Sequence, residues 1–267
     1  MIERSDIFVH STAIIEVGAN IDVNCSIGPY CVVGANVSLH QGVNLISHVN
    51  ISGSTEIGEE TKIWPFTSIG HEPQDLKYKG EKTSLVIGRR NKIREGVSVN
   101  TGTNGGGGVT RIGDDCLFML GSHVGHDCRI GNNVVVANHG SIAGHVIVED
   151  NVTIGGLSGI HQFCRIGEGA MIGAVTMVSK DVIPFGMVVG ERSSLNGINI
   201  IGLKRRGFSN REIMELQKDY DLLFYGDGNL KEKAEKIFRA EGKALIGKVA
   251  DFILADTTRK ITTPNNL

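Results

Sequence analysis

Aromatic residues are scarce in this chain, at 5% of 267 residues with a single Trp. Phe, Tyr and Trp supply much of the buried area in ordinary cores, so their scarcity excludes a thick core and leaves a thin or repetitive one. A basic excess is also missing: 27 Lys and Arg face 29 Asp and Glu, which removes the electrostatic footprint of a nucleic-acid binder. No apolar run approaches the ~18 residues of a membrane span. The opening MIERSDIFVHSTAIIEVGAN carries charge where a signal peptide would have an apolar centre, so the expected setting is the cytoplasm. Cysteines number only five. Glycine alone is plentiful, at 36 residues, well above the usual ~7%.

What fills the chain is a period of six. Apolar residues run without a break from Val9, Ile15, Ile21 and Ile27 to Ile63 and Ile69. They reappear at Ile87, Ile93 and Val99, and resume at Ile112, Phe118 and Val124, continuing to Ile172 and Val178. Two residues before each member sits something small or β-branched, such as Ala13, Ala19, Val37, Thr55 or Thr61, and Gly often follows, as after Ile27 and Ile57. Six matches neither the 3.6 of a helix nor the 2 of a long strand. It matches a short strand followed by a tight bend, where Gly, Asn and Asp tolerate a positive φ. Three units close a triangular coil of about 18 residues, and stacked coils make a parallel β-helix roughly 40 Å tall at one strand spacing per coil. Cys25, Cys31, Cys116, Cys128 and Cys164 all fall two residues before an aliphatic member. They read as free thiols used as small core residues, not as a disulfide framework or zinc cluster.

The phase breaks twice, at residues 70–84 and 101–109. Insertions in a solenoid gather on its binding face. The second contains GGGG but lacks the Lys and following helix of a phosphate-binding loop, and reads as a flexible flap. The expected organisation is an all-β solenoid over 1–190 with a helical domain over 191–267. In the latter, Ser209 to Glu212 forms a capping box, and Ile213, Leu216, Tyr220, Leu223 and Phe224 follow at helical spacing. Shorter helices fit Leu230 to Ala240 and Lys243 to Leu254, capping the open end of the prism, and the last residues, TTRKITTPNNL, read as frayed.

The coil length turns spacing into geometry. His126 plus 18 is 144 and plus 36 is 162, so His145, His161 and Gln162 lie near one edge on successive coils above His126, with His123 part of a side away. A single surface histidine usually only decorates a polar corner. Several on one stripe beside Asp127 point to acid–base chemistry, for which His is the usual group near neutral pH.

Five runs then carry a resemblance: QDLKY from Gln74, HVGHDC from His123, AGHV from Ala143, GIHQF from Gly159 and NIIGLKRRGF from Asn199. Together they resemble the acyl-carrier-protein–UDP-N-acetylglucosamine O-acyltransferases, which open lipid A synthesis, across essentially the whole chain. The resemblance implies a left-handed β-helix, a homotrimer with its site between subunits, an acyl carrier protein as donor, UDP-N-acetylglucosamine as acceptor, and no cofactor or metal. It implies that His126 is the general base, supported by Asp127, with the Gly144 N–H stabilising the oxyanion. Asp75 would read the 3-hydroxyl of an (R)-3-hydroxyacyl chain, with Gln74 and Lys77 beside it. His123, His145, His161 and Gln162 would line the cleft, and Asn199 and Arg205 would hold the nucleotide; an Arg fork suits phosphate oxygens. Three positions depart from the family pattern. Ile201 replaces a common Glu, Asn100 replaces a common His, and Ala174 stands at a position that limits acyl length, where Gly gives the longest pocket. Two rivals stand beside this reading. A γ-carbonic-anhydrase-like zinc hydratase shares the prism and binds zinc through three His, but lacks the QDLKY loop and KRRGF junction. A purely structural β-helix leaves the histidine stripe without purpose.

Overall fold

The computed structural model describes residues 7–239, 244–255, 257 and 259–265. Each hexad supplies a strand mostly two residues long, such as Ser26–Ile27 or His123–Val124. Successive strands fall in turn into three sheets of 11, 9 and 8 strands, and the whole is a left-handed parallel β-helix. Register follows the coil: Ile27 lies opposite Leu45, and Leu45 opposite Ile63. The two loops lengthen a coil and shift the register only locally, between Ile69 and His71, so Ile63 still pairs with Ile93 and Ile93 with Phe118.

The aliphatic member of nearly every hexad is fully buried, and Ile27, Ile63, Ile93, Phe118 and Ile154 are each 0% exposed. The residue two before it is buried too: all five cysteines are free and buried, and Thr61 and Thr67 donate their hydroxyls to backbone carbonyls. Gly after the aliphatic residue answers a close approach between coils, since a Cβ on Gly28 would lie 1.8 Å from the Ile46 carbonyl oxygen. The bends are less selective than the sequence implied. Tyr30, Asp127, His145 and Phe163 occupy left-handed backbone with φ between 58° and 63°. The coils above and below fix the backbone, so a conformation unfavourable for a lone L-residue is held by the stack.

At the upper end a hairpin, Gly186–Val189 with Ser194–Ile198, adds an antiparallel pair to the 11-stranded sheet. Among the described residues four helices follow: α1 (Ile200–Arg205), α2 (Asn210–Tyr225), α3 (Leu230–Arg239) and α4 (Ala244–Leu254). Helix α2 carries the capping box and buries Ile213, Leu216, Tyr220, Leu223 and Phe224, as its spacing required. Ala240 and Lys243, the expected ends of the shorter helices, lie outside the described residues. Helix α1, read from sequence only as a basic junction, was missed; Asn199 caps it by accepting the Gly202 N–H at 2.9 Å. The described residues of the terminal segment are not frayed. Ile261 bridges Asp181, Thr262 is buried, and Leu195 N–H donates to the Thr263 carbonyl.

Candidate active site

Both loops leave the prism at the same edge, between the 9- and 8-stranded sheets: Ser68–His71 runs through the first loop into Ser84–Ile87, and Ser98–Asn100 through the second into Val109–Ile112. The corner residues of the next coils on that edge are Asp127, His145 and Phe163, 18 apart. The stack is tied by backbone, His145 N–H donating to the His126 carbonyl at 2.9 Å.

His126 and Asp127 are both 6% exposed. Their side chains meet at 2.8 Å between Nδ1 and Oδ2. Asp127 is held from the other side by Thr103, whose backbone N–H reaches Oδ1 at 2.8 Å and whose hydroxyl reaches Oδ2 at 2.6 Å. The glycine-rich loop is therefore no free flap. It forms a 3-10 turn at Asn104–Gly106 and folds onto the carboxylate, so that a Cβ on Gly106 would lie 2.0 Å from Asp127 Cγ. Its glycines serve a close approach to a carboxylate, not to a phosphate. Thr110 completes the clamp by accepting the Asp127 N–H at 2.8 Å.

An ionised carboxylate only accepts, so this contact calls for a hydrogen on His126 Nδ1, and in the neutral imidazole Nε2 then offers the lone pair. That nitrogen lies over Gly144, where a Cβ would come within 2.5 Å of it. Among the described residues the Gly144 N–H donates to no acceptor. A base and a free donor thus sit side by side. His145 packs edge-on to His126 with centroids 4.9 Å apart and stacks flat on Phe163 at 4.5 Å. Burial pushes the His145 and His123 imidazoles below the usual histidine value, leaving both neutral near pH 7. His123 sits on the 9-stranded face with Nδ1 2.8 Å from the Ser98 hydroxyl.

His126, Asp127 and His145 also bring three potential metal ligands within 4.8 Å of one another. The carboxylate, however, already accepts three hydrogen bonds, two of them from Thr103. A metal bound there would compete with those bonds for the carboxylate oxygens.

The first loop reaches the same edge. Asp75 and Lys77 face His145, Phe163 and Thr103 across a cavity of about 270 Å³. Gln74 is on the same loop but exposed and outside that lining. His161 and Gln162 lie one coil above His145, and the terminal segment meets them: Arg259 Nη2 is 2.8 Å from both His161 Nδ1 and the Gln162 carbonyl. Three expected site residues lie elsewhere on the chain. Asn199 contacts Gly169 on the edge between the 8- and 11-stranded sheets, its Nδ2 donating to that carbonyl at 3.0 Å. Arg205 projects exposed from α1 on that side, while its neighbour Arg206 is tied to Glu168. Ala174 lies exposed beside Leu157 and Val175 on the third edge. Asn100 is buried beneath the first loop, donating to the Glu72 carbonyl at 2.8 Å with its Oδ1 unpartnered; Ile201 is exposed on α1.

Residues 181–262 match the model of UDP-N-acetylglucosamine O-acyltransferase domain 2, and residues 110–144 match the bacterial transferase hexapeptide (six repeats) model. The acyl-[acyl-carrier-protein]–UDP-N-acetylglucosamine O-acyltransferase of Paracoccus denitrificans (strain Pd 1222) is 56% identical over 204 residues, which is 76% of this chain and 77% of that one. This chain belongs to that acyltransferase family. Solved relatives agree across nearly the full length. The UDP-N-acetylglucosamine acyltransferase from Campylobacter jejuni superposes with a TM-score of 0.91 at 36% identity, covering 96% of this chain and 99% of the other. The Francisella novicida enzyme gives 0.93 at 36% identity, covering 97% and 95%. The chain is thus an acyltransferase. Sequence reasoning missed Thr103, Thr110, Phe163 and Arg259. Phe163 was within reach, since it is His145 plus 18. The others were not, because loops and the terminal segment follow no period.

Proposed function

We propose that the chain transfers an (R)-3-hydroxyacyl group from acyl carrier protein to the 3-hydroxyl of UDP-N-acetylglucosamine, the opening step of lipid A synthesis, with His126 as general base. The observation that carries the reading is the buried His126–Asp127 pair, 2.8 Å apart, with Nε2 directed over the free Gly144 N–H. Asp127, held by Thr103, fixes the imidazole as the Nδ1–H tautomer. Nε2 takes the proton of the sugar hydroxyl as its oxygen attacks the thioester carbonyl carbon. The resulting oxyanion receives the Gly144 N–H, a donor aimed where charge develops. Collapse of the tetrahedral adduct expels the carrier thiolate, which takes the proton back from the His126 imidazolium. No covalent enzyme intermediate is needed. The neutral state of His145 keeps a second positive charge away from the imidazolium as it forms.

Asp75 and Lys77 line the cavity beside His145 and would meet the donor's acyl head, with Gln74 near its mouth. His123, His161 and Gln162 extend the cleft along the same edge. Asn199 and Arg205 lie on a second edge and Ala174 on a third, so a site using all of them needs more than one copy. Homotrimerisation supplies that, and it covers apolar side chains that a single chain leaves out: Phe66 is 70% exposed, Leu157 67% and Val175 61%. The cytoplasm, where carrier proteins are charged, is the fitting compartment; among the described residues no helix is long and apolar enough to cross a membrane. His126→Ala tests the mechanism. Turnover should fall by the ~10²–10⁴ typical of a lost general base while the melting temperature holds. Near-wild-type turnover would remove His126 from the role.

A further inference from the structure

We infer that Arg259, from the terminal segment, is a positioning residue that locks His161 as a neutral imidazole with its hydrogen on Nε2, a fixed donor facing the nucleotide-sugar. This rests on the reading that places His161 in the substrate cleft. The deciding contact is Arg259 Nη2 to His161 Nδ1 at 2.8 Å. A guanidinium has donors only and keeps its charge at any physiological pH. Nδ1 must therefore present its lone pair. The alternative, an Nδ1–H donating to the Gln162 carbonyl 3.3 Å away, would aim a hydrogen at a cation 2.8 Å off. The shorter, charge-assisted bond wins. The second hydrogen of Nη2 goes to that same carbonyl, also at 2.8 Å, so one nitrogen fixes both the ring and the backbone beside it.

The segment carrying Arg259 is held by a buried carboxylate, Asp181, which also pairs with Arg165. Asp181 is 0% exposed and follows Phe163 by one coil on the same edge. It accepts from the Arg165 backbone N–H at 2.9 Å, from Arg165 Nε at 2.8 Å and from the Thr257 hydroxyl at 2.9 Å. Its backbone pairs with the segment in both directions, Asp181 N–H to the Lys260 carbonyl at 2.9 Å and Thr262 N–H to the Asp181 carbonyl at 2.7 Å. The Arg259 N–H then donates to Thr257 Oγ1 at 3.2 Å. The terminal segment is laid along the active edge as one more rung, and Arg259 is the side chain it delivers. A residue nearly 100 positions from His161 in sequence thus sets that histidine's tautomer.

The test compares Arg259→Ala, Arg259→Lys and His126→Ala in the full-length protein. Arg259→Ala should raise KM for UDP-N-acetylglucosamine by about tenfold, the order expected for a lost charged hydrogen bond, with kcat within about threefold. Arg259→Lys, which keeps one charged donor, should recover much of the KM. Histidine-selective ¹⁵N spectra should show His161 fixed as the Nε2–H form in the wild type and in the Lys variant, but exchanging between tautomers in the Ala variant. An unchanged KM, or an unchanged His161 tautomer in Arg259→Ala, overturns the inference. Thr257→Val, which loosens the segment but keeps the guanidinium, should move KM and the His161 spectrum in the same direction; no movement there counts against the role of the segment. An active His126→Ala enzyme would instead overturn the catalytic reading, and the spectra would still judge Arg259.

Discussion

The sharpest test of the geometry is Gly144→Ala. Gly144 lies outside the left-handed region, so an alanine there meets no backbone strain, and its N–H remains as an oxyanion donor. The methyl group is the whole perturbation. Its carbon would lie 2.5 Å from Nε2 and Cε1 of His126 and 3.0 Å from Nδ1, against an ordinary contact of about 3.5–4.0 Å. The imidazole must retreat by about 1 Å. It has little freedom to do so without cost, being tied to Asp127 at 2.8 Å and packed edge-on against His145. A displacement of about 1 Å at a reacting group costs on the order of 10²-fold in rate. We expect kcat to fall by about that factor, with KM for both substrates little changed because the contacts of the first loop and of His161 are untouched. Steady-state transfer of acyl group from carrier protein to nucleotide-sugar, read by mass spectrometry, measures this, and thermal melting controls for folding. Turnover within about threefold of wild type would refute the placement of His126 over Gly144.

Thr103→Val keeps the loop's shape and its N–H to Asp127 but deletes the 2.6 Å hydroxyl bond; kcat should drop about tenfold, and an unaltered rate would mean the loop does not support the base. Ala174→Gly should shift the preferred 3-hydroxyacyl chain upward by about one or two carbons from a starting optimum near twelve, because in a cleft closed over residue 174 by a second copy the lost methyl admits a longer chain; an unmoved optimum in a donor series excludes residue 174 as the ruler. Far from the site, His40 lies 2.8 Å from Glu56 and 3.0 Å from Asp22, and the bond to Glu56, with that to Asp22, raises its imidazole above the usual value. The folded state holds this proton more tightly than the unfolded chain, so the stabilisation is full below about pH 6.5 and disappears as pH rises through the raised value. The pair is half exposed, so the effect stays under about 1 kcal/mol. The urea midpoint gap between wild type and His40→Gln should therefore be wider at pH 5.5 than at pH 9, and a gap independent of pH would contradict it.

Much of this was legible in the chain itself, for a simple reason. A solenoid writes its packing locally: from Ile27 to Val178 each member of the series fills the interior of its own coil, so period, core and strand order follow from counting. The same arithmetic put His126, His145, His161 and Gln162 on one edge, because residues 18 apart must stack, and it should have added Phe163. The buried face of α2 was equally readable from helical spacing. Ala174 follows the same arithmetic: it lies 48 residues after His126, two coils of 18 plus two sides of six, so it falls on a different edge. The clamp of Thr103 and Gly106 on Asp127 was beyond sequence, since a loop has no period to fix where it lands. So was Arg259, which reaches His161 through pairing with the buried Asp181. These contacts join parts of the chain that no repeat relates, and only packing in three dimensions brings them together.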